Sequence, residues 1–265
     1  MRVKRFSIAL GVLMLGLSAQ GWAVSLQALP SIDYAWLGER SERNETGAKI
    51  ENLTFWSEAE EFPSFGIGHF IWFPRQIDVP FESTFSDMVA YVSLTYPAPD
   101  WLNQPFAPWA NKAEFDQAWH SDDMQILRNW LIQTKHAQAQ FIVLRFQQRL
   151  QDLIASVPTE QRVALTHKIN QLFSHQATLF AMIDYSNFKG FGTDVKERYQ
   201  QQGWGLLQVL QHMPELSNDW QSNLTQFIDS AKFVLQRRVA LAPSVRNEAR
   251  WLAGWQRRLD LYFVH

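Results

Sequence analysis

The sequence predicts a mainly α fold that carries one small β-hairpin directly after its first helix. Three observations predict it. From Lys112 onward, apolar residues recur at three and four positions, the spacing that lines one face of a helix. Between residues 51 and 73 the composition turns to Thr, Phe, Trp and Ile, interrupted by Pro63, Gly66 and Gly68, which is strand-and-turn chemistry. Prolines at 74, 80, 97, 99, 105 and 108 mark residues 74–108 as loop with room for short helical turns.

The chain opens on a different kind of segment. Arg2, Lys4 and Arg5 are positive, residues 6–17 are apolar, and Gly21-Trp22-Ala23 puts small residues where a signal peptidase reads them. Residues 1–23 are therefore expected to be a cleaved secretory signal peptide, and residues 24–265 a single domain exported to the periplasm. The apolar run is too short for a good membrane span, and no later segment is apolar for long enough. The chain contains no cysteine, which excludes disulfides, thiolate metal sites, a cysteine nucleophile and lipid attachment at cysteine. Its formal charge is −2; residues 1–23 hold three of the 24 cations and none of the 26 acids, so residues 24–265 carry −5. That balance argues against nucleic acid, which selects a basic surface. Twelve tryptophans have two uses: indoles fill helical cores, and they stack on the apolar C–H faces of sugar rings.

The helices follow in order. Ser31 can cap a first helix over residues 32–45, with Gly47 placed to stop it. Residues 124–130 form a second. The clearest runs over 134–157, where Val143, Phe146, Leu150, Leu153, Ile154 and Val157 share a face and Pro158 ends it. Thr159 can cap the next, to about residue 173, and another spans 176–187. After a loop at 189–192, helices are expected at 205–213, 217–241 and 244–263, separated by Pro214 and Pro243.

One short stretch carries chemistry. The first helix closes on Glu45, and the hairpin follows with Glu58, Glu60 and Glu61, then Ser64-Phe65-Gly66-Ile67-Gly68-His69. A helix C-terminus presents unpaired carbonyls and partial negative charge, so a glutamate there is harder to ionise, and partial burial acts in the same direction. A carboxyl held protonated near neutral pH can donate to a glycosidic oxygen. A second carboxyl across the cleft can stabilise an oxocarbenium-like state, attack it or activate water. Glycines in the hairpin would let the backbone approach a sugar chain closely.

Glu45, the carboxylates and Ser64-x-Gly66-x-Gly68-His69 resemble the lysozyme-like superfamily, in particular the phage-type lysozymes, over about 30 residues. In that pattern a glutamate closes the first helix and is followed by an aspartate and a T-x-G-x-G-H hairpin. The resemblance implies a lysozyme-like α+β fold, with Glu45 as general acid and Ser64, Gly66, Gly68 and His69 at the substrate. Glu58 stands in the aspartate's place, but the gap after Glu45 is longer here, so Glu60 or Glu61 is an alternative partner, with Glu60 slightly preferred to Glu58. The implied activity is cleavage of a β-linked amino-sugar polymer, most simply peptidoglycan, by hydrolysis or by lytic transglycosylation. The other reading is a non-catalytic envelope binding or scaffolding protein on the same fold. Gly66 to Trp72 and Asn187-Phe188-Lys189-Gly190 also resemble an uncharacterised family of exported bacterial proteins, which implies no activity.

A second polar cluster spans Asp184 to Gly190 and Tyr199 to Gln208. Asn187, Lys189, Tyr199, Trp204 and Gln208 either line the far wall of a cleft, binding hydroxyl, acetamido or carboxylate groups, or form a network that pins helices together. Other chemistries find no support. The seven histidines form no His-x-x-x-His or His-x-His pair, so no metal is expected. No nucleophile elbow, phosphate loop or dinucleotide fingerprint is present, and no cofactor is expected.

Overall fold

A computed structural model describes residues 26, 32–46, 49–77, 83–195 and 197–263, with Glu45 and Thr46 described at the backbone only. Residues 1–23, expected to be a signal peptide, and the expected cap and stop residues Ser31 and Gly47 lie outside the described residues. Within them the protein is mainly helical, with ten α-helices and two small antiparallel sheets.

Helix α1 (Tyr34–Thr46) begins where Asp33 caps it: the Asp33 carboxylate accepts from the Trp36 N–H at 3.0 Å. Strands β1 (Thr54–Phe55), β2 (Ser64–Phe65) and β3 (Phe70–Ile71) form a three-stranded antiparallel meander where the small hairpin was expected, in register Thr54↔Phe65 and Ser64↔Ile71. The inner face of this sheet is aromatic. Phe65 is fully buried, with its ring 4.8 Å from Phe85, 5.9 Å from Trp72 and 6.1 Å from Trp109. Five of the tryptophans, Trp56, Trp72, Trp109, Trp130 and Trp204, are buried in the core.

Helix α2 (Thr84–Ser93) corrects the expectation of a proline-rich loop. Thr84, Phe85, Met88, Val89 and Val92 make its buried stripe, a full helical period that the flanking prolines obscure. Its start also finishes the sheet edge. Thr84 Oγ1 accepts from the Ile71 N–H at 2.9 Å, and Ser83 donates to the Ile71 carbonyl at 3.0 Å.

Helices α3 (Lys112–Gln117) and α4 (Asp122–Gln133) lead into the long α5 (Lys135–Ser156), against which α1 packs. Gly38 of α1 faces Ala139 of α5 and Ile67 of the hairpin, so helix, helix and sheet meet at one point. Lys135 and Glu42 bridge the two helices at 2.6 Å. Helices α6 (Thr159–Leu172), α7 (Gln176–Lys189), α8 (Leu206–His212) and α9 (Trp220–Leu241) fall close to their expected places. The last helix is shorter than expected. α10 (Ala249–Asp260) is flanked by 3-10 turns at Ser244–Arg246 and Leu261–Phe263, and Asn247 is left-handed at φ 44°. A two-residue ladder, β4 (Arg198–Tyr199) with β5 (Gln202–Gly203), was not expected. It closes through Gln200 and Gln201, both at positive φ, a primed hairpin turn built without glycine. No helix of the described residues is long and apolar enough to cross a membrane.

Candidate functional site

The hairpin is held by one buried amide. Gly66 donates its N–H to the Leu53 carbonyl at 2.8 Å, and Ile67 donates to Gln138 Oε1 at 3.1 Å. Gln138 is fully buried on α5, and its Nε2 donates to the Leu131 carbonyl at 2.7 Å and to Thr134 Oγ1 at 2.9 Å. This gives the glycines a role other than the expected approach of a sugar. A Cβ at Gly66, where φ is +69°, would sit 2.3 Å from Gln138 Oε1, and one at Gly68 would sit 2.6 Å from the Phe70 ring. Protein atoms fill the space that the missing side chains leave. Ser64 is likewise buried in the middle strand instead of lining an open surface.

Next to the hairpin lies an open groove of about 510 Å³, lined among others by Trp56, Glu60, Glu61, Gln76, Asn111 and Lys112. The Trp56 indole, itself buried, donates to the Glu60 carbonyl at 2.9 Å and so holds the backbone that carries this carboxylate. Glu60 is exposed on the groove, and partial desolvation of its carboxyl raises its pKa, against the pull of nearby His69. His69 turns the chain at φ 46° and stacks on Phe55, with ring centroids 6.4 Å apart. Glu58 is different. Its side chain is 88% exposed and meets Lys112 at 3.3 Å. Glu45 is the penultimate residue of α1, and its side chain lies outside the described residues.

The second cluster does not wall this groove: none of Asn187, Lys189, Tyr199, Trp204 and Gln208 lines it. Gln208 is a cap. Its Oε1 accepts from the Gly205 N–H at 2.9 Å and its Nε2 donates to the Gly192 carbonyl at 3.0 Å. Tyr199 donates to Glu248 at 2.8 Å, and Trp204 is buried beneath Arg238, whose Cζ lies 4.1 Å over the ring. Asn187 is exposed. Glu248 takes two 2.8 Å bonds from Arg238; burial pushes its pKa up, but Arg238 and Tyr199 outweigh that and hold it low. Asp184 accepts from Arg258 at 2.9 and 3.0 Å, from Tyr262 at 2.6 Å and from Asn44 at 3.2 Å. The cluster is therefore a network joining α7, α9, α10 and the end of α1.

A larger cavity, about 660 Å³, lies between α6 and α8 and includes Val163, Ala164, Lys168 and Leu210. Lys168 donates there to the Leu210 and Met213 carbonyls at 2.9 and 2.6 Å, so its amine closes the end of α8. The smaller groove is the better candidate because it combines a desolvated carboxyl with an indole-pinned backbone. Several of these residues carried no local signal in the sequence. Gln138 reaches Ile67, Arg238 reaches Glu248, Glu248 reaches Tyr199 and Arg258 reaches Asp184 across 10 to 74 positions, and Trp56 reads alone as one aromatic among many. Among the described residues no three His, Asp or Glu side chains converge on one point. The chain matches no protein-family model, no curated protein and no solved structure.

Proposed function

We propose that this chain is a lysozyme-like glycosidase of the cell envelope, cleaving a β-linked amino-sugar polymer, most simply the glycan strand of peptidoglycan. The observation that carries the proposal is Glu60: a carboxyl with raised pKa, on a pinned hairpin backbone, at the side of a groove of ligand-binding size. A carboxyl whose pKa is raised towards the working pH exchanges protons with water efficiently. Glu45, at the end of the preceding helix, is the proton donor to the glycosidic oxygen. Glu60 takes the proton of the attacking water; in a lytic transglycosylase Glu45 acts alone, as acid and then as base for the sugar hydroxyl. Gln76 offers its amide to the acetamido and hydroxyl groups of the sugar. Glu58, exposed and paired with Lys112, has no catalytic part. Export to the periplasm, where this polymer is found, rests on the charged, apolar and small-residue order of residues 1–23.

Zymography on purified cell walls tests the reading. Wild type is expected to clear the wall, Glu45→Gln and Glu60→Gln to lose at least about a hundredfold, the usual contribution of a general acid or base, and Glu58→Gln to retain activity. Full clearing by both Glu45→Gln and Glu60→Gln overturns the proposal. An inert wild type that still binds muropeptides replaces it with the binding-protein reading.

A further inference from the structure

The groove beside the hairpin continues past Gln76. Gln76 and Ala110 also line a second pocket, of about 330 Å³, so the two hollows are arms of one trough. Residues 75–77 and 104–112 supply wall to both arms. These two stretches are tied to each other and to the core. Pro74 pairs with Ala107 in a parallel bridge, and the Ala107 N–H donates to the Phe73 carbonyl at 2.9 Å. The buried Trp72 indole donates to the Gln104 carbonyl at 3.1 Å. Backbone pairing therefore shapes the second arm before any ligand arrives.

The arms differ in charge. Glu60 and Glu61 line the first, whose cation, Lys112, is already held by Asp116 and Glu58 at 2.6 and 3.3 Å. In the second arm Arg75 is the one charged residue among the described lining. Among the described residues no hydrogen bond and no ion pair reaches its guanidinium. Its contact is the Phe106 ring, with Cζ 5.4 Å from the centroid. A ring face steadies a cation but takes up none of its N–H donors and cancels none of its net charge. The planar fork is left free, and it matches the two oxygens of a carboxylate.

We propose that this second arm is a carboxylate subsite of the groove, in which Arg75, braced on Phe106, takes the acidic group of a neighbouring sugar in the strand. The identity of the strand rests on the glycosidase reading. A strand lying along the trough presents a neutral sugar to the acids of the first arm and a carboxylate to the guanidinium of the second. Turned end for end, it would bring that carboxylate to Glu60 and Glu61. Charge thus sets the direction in which the strand lies.

Isothermal titration calorimetry on the whole protein tests this, with a peptide-free peptidoglycan tetrasaccharide as probe, its ether-linked carboxyl groups either free or methylated. The free acid is expected to bind about fivefold tighter than the ester, the scale of a solvent-exposed ion pair. Salt at about 0.5 M is expected to narrow the gap. Arg75→Gln is expected to bring the acid down to the ester without weakening the ester. Arg250→Gln, which removes an exposed arginine outside the trough, keeps the preference. Equal binding of acid and ester by wild type overturns the subsite and leaves the glycosidase reading standing, as does a preference that survives Arg75→Gln. A wild type that binds neither probe overturns both. An acid preference that depends on Arg75, in a protein that clears no cell wall, supports the subsite and removes the catalytic reading.

Discussion

Glu60 and Lys189 are perturbed in opposite directions of charge by the same cause, loss of water around the ionised form. Each leaves a mark on stability as a function of pH. A glutamate whose pKa is raised by folding favours the native state most when protonated. Its contribution is complete below the unfolded value of about 4.3 and is lost as pH rises through the folded value. Glu60→Gln is therefore expected to raise the melting midpoint slightly at pH 7, and the difference is expected to vanish below pH 4; a lower midpoint at pH 7 would contradict a desolvated carboxylate. For Lys189 the unfolded chain binds the extra proton between about pH 6 and the unfolded value of about 10.4. Wild-type stability should therefore climb with pH across that window. Lys189→Met is expected to be more stable than wild type at pH 6 and to lose the climb. Thermal melts from pH 5 to 9.5 read both effects, and a wild-type profile parallel to that of Lys189→Met would show that the amine is not displaced.

At the scale of elements, the hairpin is defined by its contact with α5 more than by its strands, each only two residues long. Gly66→Ala combines a left-handed backbone with a Cβ pressed against Gln138, and is expected to destabilise by about 2–4 kcal/mol. Gln138→Ala strands the Ile67 N–H in a buried place, at about 1–3 kcal/mol. Because both changes act on one contact, the double variant should fall clearly short of the sum, and urea denaturation of the four proteins measures the coupling. Strict additivity would mean that the amide does not organise the turn. This contact also shows what a sequence reveals. Gly66-x-Gly68-His69 was legible as a turn, because positive φ has a residue signature. What fills the glycine space was not, because Gln138 lies 71 positions away in a helix whose apolar period says nothing of a polar exception. In the same way the long helices were legible from their stripes. Helix α2 was hidden by the prolines around it, and Asp33 took the capping position two residues beyond the serine expected to hold it.

At the scale of the molecule, Asp184 gathers segments that are far apart in sequence. Arg258 of α10, Tyr262 of the final 3-10 turn and Asn44 of the last turn of α1 all bind this one buried carboxylate. Arg40 of α1 adds a 2.8 Å bond to the Leu261 carbonyl. The C-terminal segment thereby fixes the last turn of α1. Removing the carboxylate takes from the part-buried Arg258 guanidinium the counter-charge it holds at 2.9 Å, so Asp184→Ala is expected to lose about 3–5 kcal/mol, or roughly 10 °C for a chain of this size. Asp260→Ala removes a carboxylate of the same kind from an exposed pair with Lys232 at 2.5 Å, and is expected to change stability by less than about 1 kcal/mol. The contrast separates the clasp from the general effect of charge. Asn44→Ala refines it, since that variant releases only α1 from Asp184. It should unfold nearly as late as wild type, while proteolysis under native conditions cuts first between residues 43 and 50. If instead Asp184→Ala and Asp260→Ala melt together, the buried carboxylate is not what holds the two ends of the fold.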